Sequence, residues 1–254
     1  MEEIVLRMRR RYKNPPIQEA VCEVHFDLLA PFSLEQIQAV AEGWKQGYPN
    51  QQRIEEKNMQ FRFELGTVSA RESRTGDRLV ARSMDGTRLV QLSSQFIAVN
   101  QLKPYPGWIE AFRADILARV EETIGILKAD KLRSITLRYI DRLDFPQRPL
   151  AWEEWLTIRL PVPAGIPTTG GVFQSHYQQD LDPPLKGFFV IATLPEERQD
   201  LTSIMLDNMI FWQGAAPISE LPSLLDRIHA PLPTLFDKLL TEKTQELLGG
   251  YETV

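Results

Sequence analysis

From Ile17 the chain alternates. Ala20, Cys22, Val24, Phe26 and Leu28 fall on one side of an extended backbone, and Glu19, Val21, Glu23, His25 and Asp27 on the other. This is the two-residue period of a strand with one wet face. Ser33 followed by Gln36 forms a capping box. Leu34, Ile37, Val40, Ala41 and Trp44 then recur at helical spacing until Gly47-Tyr48-Pro49, so one amphipathic helix is predicted to cover one apolar face. Strands are predicted at 59–71, 78–84 and 87–99, divided at Thr75-Gly76-Asp77 and at Asp85-Gly86. The second divider is a type I′ hairpin signal, because both turn residues tolerate positive φ. Pro106 suits a first helical turn, and Ile109, Phe112, Ile116, Val120, Thr123 and Leu127 describe a long helical stripe.

The same order then recurs. After Arg133, the residues Ile135, Leu137, Tyr139, Leu143 and Phe145 alternate with Thr136, Arg138, Arg142 and Asp144, and Asp141 is the one break in the apolar series. A short helical element at Trp152–Leu156 follows, then a Pro/Gly/Thr-rich loop from Pro161 to Gly171, and strands near 172–180, 186–194 and 202–212. The segment Ser219–Gly249 is predicted helical. Pro222 lies in its opening turn, a kink or restart is expected at Pro231 and Pro233, and Leu232, Leu235, Phe236, Leu239, Leu240 and Leu247 form its buried stripe. The predicted fold is therefore α+β, a mostly antiparallel curved sheet with long helices packed on one face. Residues 1–16 form a basic arm, and 17–130 and 131–254 form two copies of a strand–helix–three strands–helix unit that share the sheet through their first strands. At the level of topology this order resembles the TATA-binding-protein and helix-grip folds.

Composition adds exclusions. The 254 residues are 43% hydrophobic and 25% charged, as in an ordinary soluble globular protein. A formal charge of -5 argues against a surface tuned throughout to polyanions. One cysteine, Cys22, cannot form an internal disulfide, no apolar run is long enough to cross a bilayer, and the opening MEEIVLRMRRRYK lacks the apolar stretch of a secretory signal. A cytoplasmic location is expected, with no membrane partner. The arm carries Arg7, Arg9, Arg10, Arg11 and Lys13 and closes on Asn14-Pro15-Pro16. It could reach a phosphate backbone or an acidic partner, or serve as a solubilising tail.

Candidate chemistry is sparse. Glu19, Glu23, His25 and Asp27 share a strand face with the spacing of an acidic metal or acid–base site. The matching strand, however, offers Arg138 and Arg142, so a structural ion-pair ladder of Glu19, Glu23, Arg138 and Arg142 is the favoured reading. His25, His176 and His229 lack zinc-site spacing. Cys22 lies on the apolar face, where a thiol behaves as a small hydrophobe. There is neither a nucleophile elbow nor a glycine loop before a helix. No catalytic residue, cofactor or metal is therefore assigned. Trp152 and Trp155 either pack a short helix or form an exposed aromatic patch.

Three stretches, YKNPPIQEAVCEVHF (Tyr12–Phe26), LRYIDRLD (Leu137–Asp144) and FDKLLTEKTQELLG (Phe236–Gly249), resemble the signatures of a sporadically distributed prokaryotic family of uncharacterised proteins. The resemblance implies no activity and transfers no site residue. Patchy distribution is typical of mobile genes, including those of phage defence and toxin–antitoxin loci. Three functions are consistent with these observations. The first is a non-enzymatic protein-interaction scaffold whose sheet face or long loops hold a partner that could be a second copy of itself, with Arg7, Arg9, Arg10, Arg11, Trp152 and Trp155 as candidate contacts. The second is a helix-grip protein enclosing a small apolar ligand. The third, disfavoured by the overall acidity, is nucleic-acid binding through the arm and a saddle-shaped sheet.

Overall fold

The computed structural model describes residues 10–64, 67–158, 173–195 and 200–253. Nine strands form one antiparallel sheet. In chain order they are β2 (Ile17–Phe26), β3 (Asn50–Glu64), β4 (Thr67–Arg82), β5 (Arg88–Leu92), β6 (Phe96–Leu102), β7 (Lys131–Phe145), β8 (Gln174–Asp180), β9 (Leu185–Thr193) and β10 (Thr202–Pro217). Across the sheet they run β3-β4-β5-β6-β2-β7-β10-β9-β8, with β2 and β7 adjacent at the centre. Two short strands, β1 (Arg10–Tyr12) and β11 (Tyr251–Thr253), pair as a separate ribbon. The helices are α1 (Leu34–Trp44), α2 (Arg113–Leu127), α3 (Trp152–Trp155), α4 (Leu221–His229), α5 (Pro231–Leu239) and α6 (Glu242–Leu247). In each half the first strand leads to a helical element and then to a meander whose last strand, β6 or β10, returns beside the first.

Local chemistry explains most element ends. The Ser33 hydroxyl accepts from the Gln36 N–H (3.2 Å), and the Gln36 side chain accepts from the Ser33 N–H (2.9 Å), so α1 starts at the expected capping box. Three strand expectations are corrected. Gly76 does not end a strand; it lies in β4 at a register shift opposite Glu56 and Lys57, where glycine accommodates a bulge. The segment 87–99 is two strands, because the Ser93 hydroxyl accepts from the Gln95 N–H (3.3 Å) and folds the chain back between β5 and β6. Four strands rather than three therefore follow α1. In the Asp85-Gly86 hairpin only Gly86 is left-handed (φ 73°), while the Asp85 carboxylate accepts from the Ser83 hydroxyl and the Thr87 N–H, so the turn is not type I′.

The even positions of β2 and the odd positions of β7 face the helices. Ala20, Cys22 and Val24 meet Ile135 and Leu137 there, beneath Trp44 of α1, Ile116 and Val120 of α2, and Leu225 and Ile228 of α4. Each such side chain contributes roughly 1.5–3 kcal/mol by leaving water. A second cluster lies further along the same face, where Leu143 and Phe145 of β7 and Ile204 and Leu206 of β10 pack against Trp152, Trp155, Leu240 and Leu248. Ahead of α2, residues Trp108–Phe112 form one π-helical turn. The wider turn rotates the stripe, so Trp108 is buried and Ile109, expected inside, is 51% exposed. The expected restart at Pro231 separates α4 from α5, and at the chain's end Leu248 rather than Leu247 points inward. No helix among the described residues is long and apolar enough to cross a membrane.

Candidate functional site

The break in the β7 alternation marks the site. Asp141 belongs to the inward series with Tyr139 and Leu143 and is 2% exposed, between the two core clusters. Its hydrogen-bond partner is Asn208 of β10, whose Nδ2 lies 3.5 Å away, at the limit of a useful bond. On the other flank the β2–β7 register slips. Ile17 opposes Asp141 and Glu19 opposes Ile140, so Gln18 is an extra residue that turns Ile17 inward. Burial, reinforced by the negative Asp207 and opposed by the Asn208 contact, pushes the Asp141 carboxyl up to about 8. At neutral pH it therefore favours the protonated, uncharged form.

The floor around Asp141 opens into a cavity of about 470 Å³. One wall is the loop before α2, where Gly107 adopts φ 109°, open to glycine but strained for other residues, and its Cβ position faces the Glu110 carboxylate. The next residue, Trp108, stacks its indole on the imidazole of His229, the last residue of α4, at 4.2 Å and 4°. Both rings are buried, and neither Trp108 Nε1 nor His229 Nδ1 has a hydrogen-bond partner in the protein. Such atoms typically cost ~1–3 kcal/mol each. Burial pushes His229 down to about 3, against a smaller opposing effect of Asp226, so its ring is neutral at physiological pH. Tyr105 and Tyr139 share a hydroxyl–hydroxyl bond of 2.9 Å, and burial raises both phenols.

The β1–β11 ribbon closes the far end. Tyr12 donates to Asp237 of α5 (2.8 Å), and its hydroxyl also meets that of Tyr251 (2.8 Å), while the backbone continues through Lys13 N–H to Gly250 carbonyl and Asn14 N–H to Leu248 carbonyl. Pro15 and Pro16 hold this segment extended along the cleft. The lining carries three carboxyls, Glu110, Asp141 and Asp237, and one Lys, the exposed Lys238. A second depression of about 550 Å³ lies under α1, but its polar groups are engaged: Gln51 donates to the Ala41 carbonyl (2.7 Å) and Arg53 pairs with Asp77 (2.5 Å). Two of the four unpartnered buried side-chain nitrogens among the described residues belong to residues lining the cleft around Asp141.

The expected site residues fall elsewhere. Glu19, Glu23, Arg138 and Arg142 share the outer face of the central strands, and the charge of Glu19 acts on Arg138 across β2 and β7, but each of the four also engages a partner outside the expected ladder. Glu19 accepts from Asn100 of β6 (2.7 Å), and Glu23 pairs with His25 of its own strand. Arg138 forms a bidentate pair with Asp207 of β10 (2.7 Å through Nε), and Arg142 bonds Asp144 (2.9 Å) and Ser203 of β10 (3.2 Å). The register explains this. Glu23 opposes Thr136, six residues from Arg142 along β7, or ~20 Å at strand rise, whereas Arg138 lies diagonally next to Asp207.

Trp152 and Trp155, 2% and 5% exposed, are core and not an interaction patch, because the single turn of α3 inserts them against Phe145 and Phe173. Arg7, Arg9 and the loop Pro161–Gly171 lie outside the described residues, and Arg10 and Arg11 belong to β1, so the arm's last residues are part of the fold. Cys22 is buried and its thiol is pushed up by desolvation. Among the described residues no three His, Cys, Asp or Glu side chains are placed to hold a metal ion. Asn208, His229, Trp108, Tyr105 and Tyr139 were not legible as one site, and the one signal toward it was the misplaced aspartate.

No protein-family model matches the chain, and no curated protein matches it. Among solved structures it is similar to the di-domain ARO/CYC StfQ from the steffimycin biosynthetic pathway, at 11% identity and a TM-score of 0.22, over 91% of this chain and 96% of that one. A likeness of that size carries no argument about fold or function.

Proposed function

We propose that the chain binds a small, largely apolar organic molecule in the cleft between the centre of its sheet and α4–α5. The observation that carries this reading is the concentration of unused hydrogen-bonding capacity in one aromatic-walled space. Asp141 has one long contact, and Trp108 Nε1 and His229 Nδ1 have none, all within a cavity whose 470 Å³ falls in the ~300–1,000 Å³ range of ligand sites. The apolar walls exclude water and the few polar groups fix orientation. The meander of each half returns its last strand beside its first, which supports an internal duplication although the first meander has four strands and the second three, and the sheet with helices on one face supports a helix-grip-like architecture, with the cleft beside the seam where the halves meet. The interaction-scaffold reading places its partner on the sheet face or the long loops, with Trp152, Trp155 and the arginines as candidate contacts. With both tryptophans inside the second core cluster, the cleft has the stronger support.

Native mass spectrometry of the chain purified without denaturation tests this. The expected spectrum shows a co-purifying adduct that disappears in Thr234→Trp, a substitution on the cavity wall in α5. A ligand present at about a hundred times its Kd also stabilises by ~2.7 kcal/mol, visible as a thermal shift absent from that variant. No adduct, together with no thermal shift across a fragment library, refutes the reading.

A further inference from the structure

The charge around the cleft indicates what it takes, an inference that rests on the ligand-binding reading above. Among the described residues three carboxyls line the cavity against a single, exposed Lys, and no arginine is in its lining. Phosphates and carboxylates are recognised by guanidinium forks and ammonium groups, so an anionic head would meet like charge here. The aromatic faces suit the opposite sign. Tyr12, Tyr105, Trp108, Tyr139 and Tyr251 line the cavity, and the negative quadrupole of an aromatic face attracts a cation within ~6 Å. Acidity alone does not make a site. Here it coincides with Trp108 and His229, both at least nine-tenths buried and lining the same cleft, whose Nε1 and Nδ1 have no hydrogen-bond partner among the described residues.

We infer that the cleft selects a cationic organic ligand, a primary amine or amidinium on an apolar body, whose charged head pairs with the Asp141 carboxylate beside the rings of Tyr105, Tyr139 and Trp108. The geometry leaves that carboxyl room for it, since its one hydrogen bond is a 3.5 Å contact. Without a cation the carboxyl keeps its proton. When an ammonium arrives, the O–H bond breaks, the proton passes to the buffer, and an ammonium–carboxylate pair replaces the neutral acid. Glu110 and Asp237 supply further negative potential, while His229 stays neutral and the Tyr12 hydroxyl occupies Asp237.

Calorimetry on the full chain at neutral pH separates the possibilities with three probes of one skeleton: phenethylamine, 2-phenylethanol and phenylacetate. The amine is expected to bind at least about tenfold tighter than the alcohol, with phenylacetate weakest. Comparison of buffers with different ionisation enthalpies should show close to one proton released per amine bound. Asp141→Asn should cost the amine about tenfold while changing the alcohol by less than about threefold, a split that a merely unfolded variant would not give. An alcohol as tight as the amine overturns the charge selection and leaves the ligand-binding reading standing. Amine binding without proton release, or unchanged in Asp141→Asn, overturns the assignment to this carboxyl. Failure of all three probes overturns the inference, and only if no adduct is seen by native mass spectrometry does the ligand-binding reading fall with it.

Discussion

The strongest thermodynamic consequence of the cleft is a loss of stability above neutral pH that Asp141→Asn should abolish. Burial lifts the Asp141 carboxyl from 3.8 to about 8 in the folded chain, so between those values the native state holds a proton that the unfolded state releases. Stability then falls as pH rises, by ~1.4 kcal/mol per pH unit, and levels off above the folded value. His229 has the opposite sense. Lowered from 6.5 to about 3, it is neutral when folded and protonated when unfolded, so its contribution is lost as pH falls through that window. Between pH ~4 and 6.5 the two slopes cancel, and between 6.5 and 8 the carboxyl acts alone, giving a decline of ~2 kcal/mol. Tyr105, Tyr139, Glu110, Asp237 and Asp207 also surround the carboxyl, so the informative quantity is the difference between wild type and variant, which removes their shared background. Urea unfolding at pH 5, 6.5 and 8 with m held constant measures it. Wild type and Asp141→Asn with parallel pH profiles would refute the placement of a neutral acid in this cleft.

Three further outcomes follow from packing. Trp152→Ala should destabilise by ~3–5 kcal/mol through the cavity it leaves beside Phe145 and Phe173, lowering Tm by on the order of 10 °C in a thermal melt, whereas a surface tryptophan would change little. Arg138→Ala should cost ~1–3 kcal/mol in chemical denaturation by stripping the buried Asp207 of its bidentate partner, with much of the loss recovered in the double variant with Asp207→Asn; no recovery would separate the pair. Gly107→Ala should cost ~1–2 kcal/mol by forcing a side chain into φ 109°, and should weaken any ligand of the cleft more than Gly125→Ala, in the last turn of α2 with open space around it.

The layers of the fold were legible because periodicity depends on local chemistry. The β2 and β7 alternations, the Ser33 capping box and the restart at Pro231 each depend on a few neighbouring residues, and each appears in the structure. Expectations failed where a single residue changes register. Gly76 reads as a turn but sits in a bulge, Ser93 hides a reversal inside an apolar run, and the π turn at Trp108 exchanges the roles of neighbouring residues. None alters the hydrophobic count enough to be seen. The ion-pair ladder was legible only in part, through the action of Glu19 on Arg138, for a related reason. Charges at matching positions on two strands say nothing of which strand lies on the far side, and β10, with Asp207 diagonal to Arg138, competes for the same guanidinium.

The site was marked by an error in the pattern rather than by a motif, and the distribution of unpaired atoms shows why that error matters. An isoleucine or leucine at position 141 would extend the apolar series and join the two clusters, and a core optimised for stability alone would place one there. Four buried side-chain nitrogens among the described residues lack partners, and two of them, Trp108 Nε1 and His229 Nδ1, line the cleft into which Asp141 faces. The other two, Trp44 Nε1 and Arg119 Nε, lie elsewhere, and the pair at the cleft sits beside the extra residue that turns Ile17 inward and the glycine-led π turn that places Trp108 on His229. Three independent backbone and side-chain departures from regularity converge on one cavity, and a chain retains destabilising features together when their shared space is used.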